Sequence, residues 1–416
     1  MKYYLCIDLK TFYASVECVE RDLDPYKVNL VVADKSRGKG ALCLAISPRM
    51  KKAGVKNRCR LFEIPRYMQY IIAKPRMKLY MEYSANIYEI YLKYFAKEDI
   101  YVYSIDEAFF DITPYLNYYK KSALEIAKMI INDVFKTTGI TATCGIGTNL
   151  YLAKIAMDII AKHNDSNIGY LNEELYIEKL WNHKPLTDFW QIGHGIAKRL
   201  LKYGVEDMEG ISKLPEDVLY KEFGVNARFL IRHAWGKESV TIQQIKDYKP
   251  QHNSISNSQI LFKDYNYQDA LLILKEMVEI NVLQLSEKHL STDKIHLYIG
   301  YSKNVIKSTG GSRKISVRTN VYSILLKEFV KLFEQTTNRN YPIRQIRISF
   351  GDVKDEEFEY YDLFTEQQEV EEEKRLQNAL NEIKYKYGKN SIFKCMNLMD
   401  NATQLERNKL IGGHAE

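Results

Sequence analysis

The stretch Tyr103-Ser104-Ile105-Asp106-Glu107-Ala108-Phe109-Phe110-Asp111 sets two adjacent carboxylates at a turn that leads into an apolar run. The apolar run predicts a strand over residues 107–112, and the residues before the turn predict another over 100–104. Further out, a buried strand is predicted over residues 2–9, and it carries Asp8 near its end. A strand, a helix and then a hairpin are the opening of a split βαβ unit.

The remaining elements of this domain complete the unit. A helix over 79–95 precedes the hairpin, and a helix over 120–136, ended by Gly139, follows it. A strand over 140–146 comes last. The predicted order is therefore β-α-β-β-α-β, which places the first and third strands side by side and antiparallel.

Three carboxylates are therefore expected at one edge of the sheet: Asp8, Asp106 and Glu107. Such a cluster raises the pKa of its members unless cations neutralise them. Mg²⁺ is a suitable cation, and two ions about 4 Å apart can activate a hydroxyl and stabilise a leaving oxygen. The alternative is an ordinary polar turn beside a strand end, and on these residues alone the two interpretations stand level.

Residues 251–351 repeat the same order of elements without visible sequence similarity. A helical region over about 171–245 lies between the two copies, and an acidic tail follows the second. The predicted elements of the second copy are strand 254–262, helix 267–288, strands 294–301 and 313–319, helix 322–336 and strand 343–350. In the tail, Leu376, Leu380, Ile383 and Tyr387 are predicted to form one apolar face of a helix.

Composition narrows the class of protein. The 416 residues include no apolar run that could span a bilayer and no signal-peptide core at the start, so a soluble cytoplasmic protein is expected. The six cysteines form neither a metal-binding pair nor a disulfide framework. Residues 352–416 carry a net charge of −6, so a whole-chain charge of +7 leaves +13 on the rest. A basic body suggests a nucleic-acid partner, although an ordinary basic surface explains the charge equally well.

Three ordered motifs resemble those of the Y-family translesion DNA polymerases, and most closely the UmuC-type branch. They are the run from Ile7 to Glu17 (IDLKTFYASVE), the stretch from Tyr103 to Asp111, and Cys144-Gly145-Ile146-Gly147 followed by Leu152-Ala153-Lys154-Ile155-Ala156. The resemblance implies an α+β, multidomain right-hand fold with a ferredoxin-like palm and a second split-βαβ domain. The implied domains are a palm (1–24 and 76–170), small fingers (25–75), a helical thumb (171–245), a little finger (250–351) and an acidic tail (352–416).

The resemblance also implies roles for individual residues. Asp8, Asp106 and Glu107, with the carbonyl of Leu9, would bind two Mg²⁺ ions, with Mn²⁺ as a substitute. The nucleotide site would include Phe12, Tyr13 as a steric gate against the ribose 2′-hydroxyl, Lys51 and Lys162. Many relatives have Tyr and Arg where this chain has Pro48 and Lys51, and a lysine loses the bidentate fork of arginine.

Contacts to primer-template DNA are expected at two places. The run Ile192-Gly193-His194-Gly195-Ile196-Ala197-Lys198-Arg199-Leu200 resembles a helix-hairpin-helix turn, in which Gly193, Gly195 and Lys198 would approach a phosphate. In the second copy, Arg313, Lys314 and Arg318 follow a Gly310-Gly311 turn and would contact the DNA backbone. A simple tight connection and a basic hairpin without a partner are the alternatives.

The tail contains one motif that suggests a protein partner. The segment Tyr360-Tyr361-Asp362-Leu363-Phe364 resembles the peptide with which relatives bind the sliding clamp, although relatives usually begin it with Gln-Leu. Leu363 and Phe364 would fill an apolar pocket of the clamp. The alternative is that both side chains pack on their own domain.

The resemblance implies a low-fidelity, template-directed DNA polymerase that inserts deoxynucleotides opposite damaged bases. Its substrates would be primer-template DNA and deoxynucleoside triphosphates. A catalytically silent DNA- and clamp-binding factor is the rival, but such a scaffold has no use for Asp8, Asp106 and Glu107 together. A nucleotide cyclase on a similar palm would leave the hairpin motif and the basic second copy unexplained.

Overall fold

The computed structural model of the protein describes residues 2–250, 253–302, 305–358 and 367–415. The chain forms two compact units, residues 1–248 with 414–416, and residues 249–413. In the described part of the chain, no helix is long and apolar enough to cross a bilayer.

The first unit contains two sheets and twelve labelled helices among its described residues. Its strands are β1 (Tyr4–Leu9), β2 (Leu30–Val32), β3 (Ala45–Ile46), β4 (Ile71–Ala73), β5 (Ile100–Val102), β6 (Glu107–Asp111), β7 (Ala142–Gly147) and β8 (Ile168–Leu171). Its helices are α1 (Phe12–Val19), α2 (Pro48–Lys52), α3 (Met77–Leu92), α4 (Thr113–Tyr119), α5 (Ala123–Thr138), α6 (Leu150–Ile155), α7 (Glu173–Leu180), α8 (His194–Leu201), α9 (Met208–Lys213), α10 (Glu216–Phe223), α11 (Ala227–Ala234) and α12 (Ile242–Asp247).

The larger sheet of this unit has the strand order β5-β6-β1-β7-β8. Strand β1 pairs antiparallel with both β6 and β7, which confirms the predicted split βαβ arrangement. The sequence did not predict β8, which adds to β7 in parallel, or the short helix α4. Helix α5 begins three residues later than predicted because Ser122 caps it in a capping box with Glu125, and it ends at Gly139 as predicted.

Glycines in β7 allow helix α6 to pack directly on the sheet. A Cβ atom on Gly145 would lie 2.0 Å from the carbonyl oxygen of Ala153, and one on Gly147 would lie 2.1 Å from the Ala153 nitrogen. No other residue type fits such a close approach of two backbones. The glycines therefore fix the position of α6 against β1 and its neighbours.

Two smaller cores complete the first unit. The sheet β3-β2-β4 encloses one of them, which includes Val31, Cys43 and Met50. The helices from α7 to α11 enclose the other, with Tyr176, Phe189 and further apolar side chains. The first core lies in the range predicted as fingers. The second lies mostly in the predicted thumb but also includes residues of the predicted palm (Tyr151, Leu152, Ile155 and Ala156), and the exact limits of these domains stay predictions.

The second unit is an antiparallel sheet covered by helices. It contains β9 (Asn253–Tyr265), α13 (Tyr267–Glu287), β10 (Leu290–Tyr301), β11 (Thr309–Thr319), α14 (Tyr322–Thr336), β12 (Ile343–Asp355), α15 (Gln367–Tyr387), α16 (Gln404–Arg407) and β13 (Leu410–Ile411). The strand order is β11-β10-β12-β9, which again follows β-α-β-β-α-β. The predicted repeat of architecture is therefore confirmed.

The C-terminal segment is an integral part of this second unit. Helix α13 is buried almost all round because the sheet covers one side and residues from α15 onward cover another. The buried carboxylate of Glu276 accepts hydrogen bonds from the Asn397 amide (2.8 Å) and from the backbone N–H groups of Thr403 (2.9 Å) and Gln404 (3.3 Å). These bonds anchor the segment after α15 to α13.

The tail helix is confirmed, but its predicted apolar face is wrong in part: Leu380 and Ile383 are half-buried, and the other two residues are exposed. Leu376 is 59% exposed and Tyr387 is 65% exposed, whereas Gln377 is 3% exposed. The Gln377 side chain accepts a hydrogen bond from the Tyr322 N–H and donates one to the Asn320 carbonyl. Helix α15 therefore docks through polar contacts to helix ends, which hydrophobic periodicity does not register.

Candidate active site

The strands β1 and β6 bring two predicted carboxylates together. Asp8 and Glu107 are direct partners in the antiparallel register. The Leu9 N–H donates to the Asp106 carbonyl at 2.9 Å, so Asp106 lies at the same end of this strand pair. The structure thus places all three acidic residues at one edge of the sheet, as the sequence predicted.

A tight turn orients Asp106. The N–H groups of Tyr103 and Ser104 both donate to the carbonyl of Glu107, at 2.9 and 3.0 Å. The Ser104 hydroxyl donates to Asp106 Oδ1 at 2.6 Å. This turn holds Asp106 beside the strand end while leaving its second carboxylate oxygen available for another partner.

Asp8 carries the electrostatic signature of a crowded acidic site. Burial raises its pKa to about 6, and the neighbouring Asp106 and Glu107 contribute to the rise, while Lys162 and Lys154 oppose it. A carboxyl group with a pKa near neutrality is unusual and is typical of functional sites.

Glu107 has a partner that sequence reasoning did not select. The ammonium of Lys154, on α6, donates to Glu107 Oε2 at 2.8 Å, and the Cys6 thiol donates to Oε1 at 3.3 Å. Burial alone would lower the pKa of Lys154, but its acidic neighbours, Asp158 and Glu107 among them, outweigh burial and raise it. The sequence signals for this contact are the pair of glycines in β7, which lets α6 approach, and the position of Lys154 within the third motif.

The donor set suits a hard divalent cation, although the side chains do not converge as a finished metal site. Carboxylate oxygens are the ligands that Mg²⁺ prefers, and three acidic residues meet at this edge. Yet among the residues with described positions, no three Asp, Glu, His or Cys side chains form a metal-ligand group. Glu107 instead faces the ammonium of Lys154, which occupies the place of a counter-ion.

The two aromatic residues of α1 have different environments. Phe12 is 2% exposed and belongs to the core. Tyr13 is half-buried, stacks on Tyr80 with ring centroids 4.4 Å apart, and has a raised pKa because of burial and the charge of Asp106. Tyr13 therefore interacts with the acidic site, and its role as a gate stays a prediction, whereas Phe12 contributes mainly to packing.

Two predicted lysines lie near Asp8. The ammonium of Lys162 is 3.7 Å from Asp8 Oδ2. Partial desolvation lowers the pKa of Lys51. The negative charge of Asp8 raises this pKa, and the positive charge of Lys162 lowers it. Lys162 therefore lies at the carboxylate edge, and Lys51 is near enough to interact electrostatically with Asp8. Pro48 is the first residue of α2, where a missing N–H costs nothing, so its structural role is to begin the helix that carries Lys51.

The predicted helix-hairpin-helix turn begins a real helix. Gly193 is the N-cap of α8, and Gly195 and Lys198 are exposed on its first turns. A Cβ atom on either glycine would meet nothing within 4 Å. The packing of this chain therefore does not require these glycines, which leaves close approach by another molecule as a reason for them.

The strand β11 turns its basic residues in different directions. Lys314 pairs with Lys294 on the sheet face away from α14. Arg313 pairs with the buried Ile295 and reaches Glu328 of α14 at 3.5 Å, so it points to the helical side. The open face also carries Arg347, stacked over Tyr298 at 5.5 Å, which the sequence analysis did not select.

Arg318 is 5% exposed and engaged by two carboxylates. Its guanidinium lies 2.8 Å from both Asp293 and Asp352. The register of β10 and β11 shifts between Thr292 and Lys294, next to Asp293, which Arg318 and Lys314 both contact. All three basic residues therefore have acidic partners, but Lys314, whose ammonium lies 3.9 Å from Asp293, keeps 78% of its side chain exposed.

Comparisons with known proteins agree with the architecture. The profile of the impB/mucB/samB family matches residues 7–158, and that of its C-terminal domain matches residues 252–363. The putative UV-damage repair protein UvrX of Bacillus subtilis is 31% identical over 99% of this chain and 97% of its own length. DNA polymerase IV 2 of the same organism is 28% identical over 99% of this chain and 98% of its own.

A solved structure has a similar fold. A Y-family DNA polymerase chimera of Dbh and Dpo4 superposes with a TM-score of 0.65 at 20% identity, covering 85% of this chain and 99% of its own. The predicted clamp-binding residues Leu363 and Phe364 lie outside the described residues.

Proposed function

The chain belongs to the impB/mucB/samB family and is a Y-family, DNA-directed DNA polymerase, and from that membership we propose that Asp8, Asp106 and Glu107 form its nucleotidyl-transfer site. In the proposed reaction the primer 3′-hydroxyl attacks the α-phosphate of a deoxynucleotide, and pyrophosphate leaves. The site would insert deoxynucleotides opposite damaged template bases. The observation that carries the proposal is the register of β1 and β6, which sets Asp8 opposite Glu107 and beside Asp106.

Y-family polymerases generally use divalent metal ions. We propose that Asp8, Asp106 and Glu107, with the carbonyl of Leu9, hold two Mg²⁺ ions, or Mn²⁺ in their place. Bound there, such ions lower the pKa of the attacking hydroxyl and stabilise charge on the leaving oxygen. The chain itself positions the carboxylates: the strand register fixes Asp8 and Glu107, and the turn at Ser104 fixes Asp106. Glu107 accepts a hydrogen bond from the ammonium of Lys154 at Oε2, and it would bind an ion through its remaining lone pairs.

The incoming nucleotide would lie over α1 and against two lysines. Lys162 lies at the carboxylate edge, Lys51 interacts electrostatically with Asp8, and both would neutralise triphosphate oxygens as point charges. Tyr13, held by its stack on Tyr80, would occupy the space that a ribose 2′-hydroxyl needs. Phe12 would support Tyr13 from the core, since their ring centroids are 5.8 Å apart.

Two surfaces would contact the DNA backbone, one in each unit. In the first unit, the start of α8 offers backbone N–H groups at Gly193 and Gly195, with Lys198 one turn further on. In the second, Lys314 on the open sheet face would bind phosphate directly, together with Arg347. Arg313 and Arg318, whose charges are paired, would act by holding the sheet edge in shape.

A sliding clamp is the proposed protein partner. The support is the sequence resemblance of Leu363 and Phe364 to the clamp-binding peptide. An apolar pair of this kind binds by filling a groove of its partner. Loss of clamp-stimulated synthesis in a Leu363→Ala, Phe364→Ala variant, with unstimulated synthesis unchanged, tests this part alone.

The proposed site is tested by separating chemistry from DNA binding. Asp106→Ala should abolish metal-dependent primer extension because it removes a proposed carboxylate ligand of the metal ions. Its affinity for primer-template DNA, measured by fluorescence anisotropy, should stay within about twofold, since the DNA surfaces are elsewhere. Loss of DNA affinity together with activity would contradict the assignment, and inactivity of the native chain with intact binding would favour a silent DNA-binding factor.

A further inference from the structure

An unbroken chain of ion pairs connects the two ends of the proposed site. It runs from Glu107 to Lys154 (2.8 Å), Asp158 (3.0 Å), Lys162 (2.7 Å) and Asp8 (3.7 Å), with charges of alternating sign. Asp158 is its centre, because one carboxylate oxygen meets each of the two lysines. No contact places Asp158 against Asp8 or Glu107 directly, so any effect on them passes through the lysines.

The local helix geometry brings these residues to one side. In a regular α-helix, residues eight positions apart, such as Lys154 and Lys162, are rotated by about 80° around the axis. Between them, the chain adopts a π-helical turn over Ala156–Ile160. A π-turn has more residues per turn, so it returns Lys162 toward the side of Lys154. Such turns occur frequently at functional sites.

The surrounding packing keeps this turn in place. A Cβ atom on Gly169, in β8, would lie 2.5 Å from the carbonyl oxygen of Ala156, the first residue of the π-turn. The sheet therefore touches the turn directly on this side. A side chain at position 169 would push the turn, and the lysines with it, away from the carboxylate edge.

Removing Asp158 would affect the two lysines differently. Lys154 has only 8% of its side chain exposed, so its charge depends on its acidic partners. Without Asp158, Lys154 would keep Glu107 at 2.8 Å, so the Lys154–Glu107 contact does not require Asp158. Lys162 would lose the nearer of its two acidic contacts and would be repelled by the remaining cations around Asp8.

We propose that Asp158 is a positioning residue of the nucleotide site: it fixes the ammonium of Lys162 where the triphosphate binds. The inference rests on the proposed function of this site. Asp158 touches neither nucleotide nor metal ion in this account. Its influence on the reaction therefore depends on the presence of Lys162.

The test measures nucleotide affinity without turnover. Asp158→Asn is compared with the native chain in complexes with DNA whose primer ends in a dideoxynucleotide, with the next correct deoxynucleotide titrated in the presence of Mg²⁺. Affinity for the nucleotide should fall by about tenfold, the effect of losing one charge-assisted contact, while affinity for DNA stays unchanged. Asp158→Glu keeps the charge and should recover most of the loss.

A double-mutant cycle with Lys162→Gln identifies the route. If Asp158 acts through Lys162, adding Asp158→Asn to Lys162→Gln should change nucleotide affinity by less than about twofold. Multiplied losses in the double variant would overturn the proposal. So would unchanged affinity in Asp158→Asn, or a natively folded Asp158→Glu as weak as Asp158→Asn. If the native chain extends no primer at all, the proposed function fails, whatever the cycle gives.

Discussion

Replacing Asp8 by asparagine is expected to stabilise the metal-free protein at pH 8 by about 3 kcal/mol, while removing its polymerase activity. The folded state raises the pKa of Asp8 from 3.8 to about 6, mainly through burial. One pKa unit is worth ~1.4 kcal/mol, which gives the magnitude. A buried carboxylate that is needed for binding cations thus lowers the free energy of unfolding when no cation is present.

The sign of the pH dependence follows from proton linkage. The folded state holds the proton of Asp8 more tightly than the unfolded state, so this group favours folding below pH 3.8 and ceases to do so above pH 6. Between pH 5 and pH 8, Asp8 should therefore remove about 1.4 kcal/mol from the native protein. The Asp8→Asn variant should lose none of this.

Hydrogen exchange of peptides covering β1 and β6, in EDTA, is the suitable assay, because a chain of two units has no single free energy of unfolding. Asp165→Asn, at an exposed position of the same unit, is the matched control and should change stability by less than about 0.5 kcal/mol. Adding Mg²⁺ should slow exchange in the native protein but not in Asp8→Asn. Equal protection of both at pH 8 would refute the reasoning.

Three further predictions concern other parts of the chain. Gly195→Ala should weaken DNA binding about tenfold. It should leave the stability unchanged, since its Cβ would meet nothing in the chain. Fluorescence anisotropy measures the DNA affinity and thermal melting the stability, and intact binding would contradict a phosphate contact. Tyr13→Ala should admit ribonucleotides in single-nucleotide incorporation assays, and unchanged sugar selection would show that the gate lies elsewhere. Glu276→Ala should destabilise the second unit by at least about 2 kcal/mol because buried N–H groups at Thr403 and Gln404 lose their acceptor. Unaltered hydrogen exchange in α16 would contradict the anchoring role of Glu276.

The order of elements was predictable because each strand and helix has its own local pattern. Alternation, apolar runs and caps such as Gly139 gave the β-α-β-β-α-β order in both copies, and with it the meeting of Asp8 and Glu107. Strand register then follows from topology, since antiparallel central strands bring one end of β1 beside the start of β6. The acidic edge was therefore accessible from the sequence.

Contacts that depend on exact packing were not accessible in the same way. Lys154 reaches Glu107 only because glycines let α6 lie on β7. No periodic pattern in the sequence predicts so close an approach of the helix to the strand. The pairing of Arg318 with Asp293 and Asp352 depends on strands that are distant in sequence, so no local pattern predicts it. Helix α15 docks through the polar side chain of Gln377, which neither the helical nor the strand period of apolar residues predicts. In each case a tertiary contact decides the direction of a side chain.

Extension of a primer past an abasic site measures the central claim most directly. The native chain and Glu107→Gln are compared on damaged and undamaged templates with Mg²⁺ and four deoxynucleotides, after both are shown to bind the DNA equally. The account predicts synthesis through the lesion by the native chain and none by Glu107→Gln on either template. Comparable synthesis by Glu107→Gln would contradict the claim that the edge formed by β1 and β6 is the site of nucleotidyl transfer.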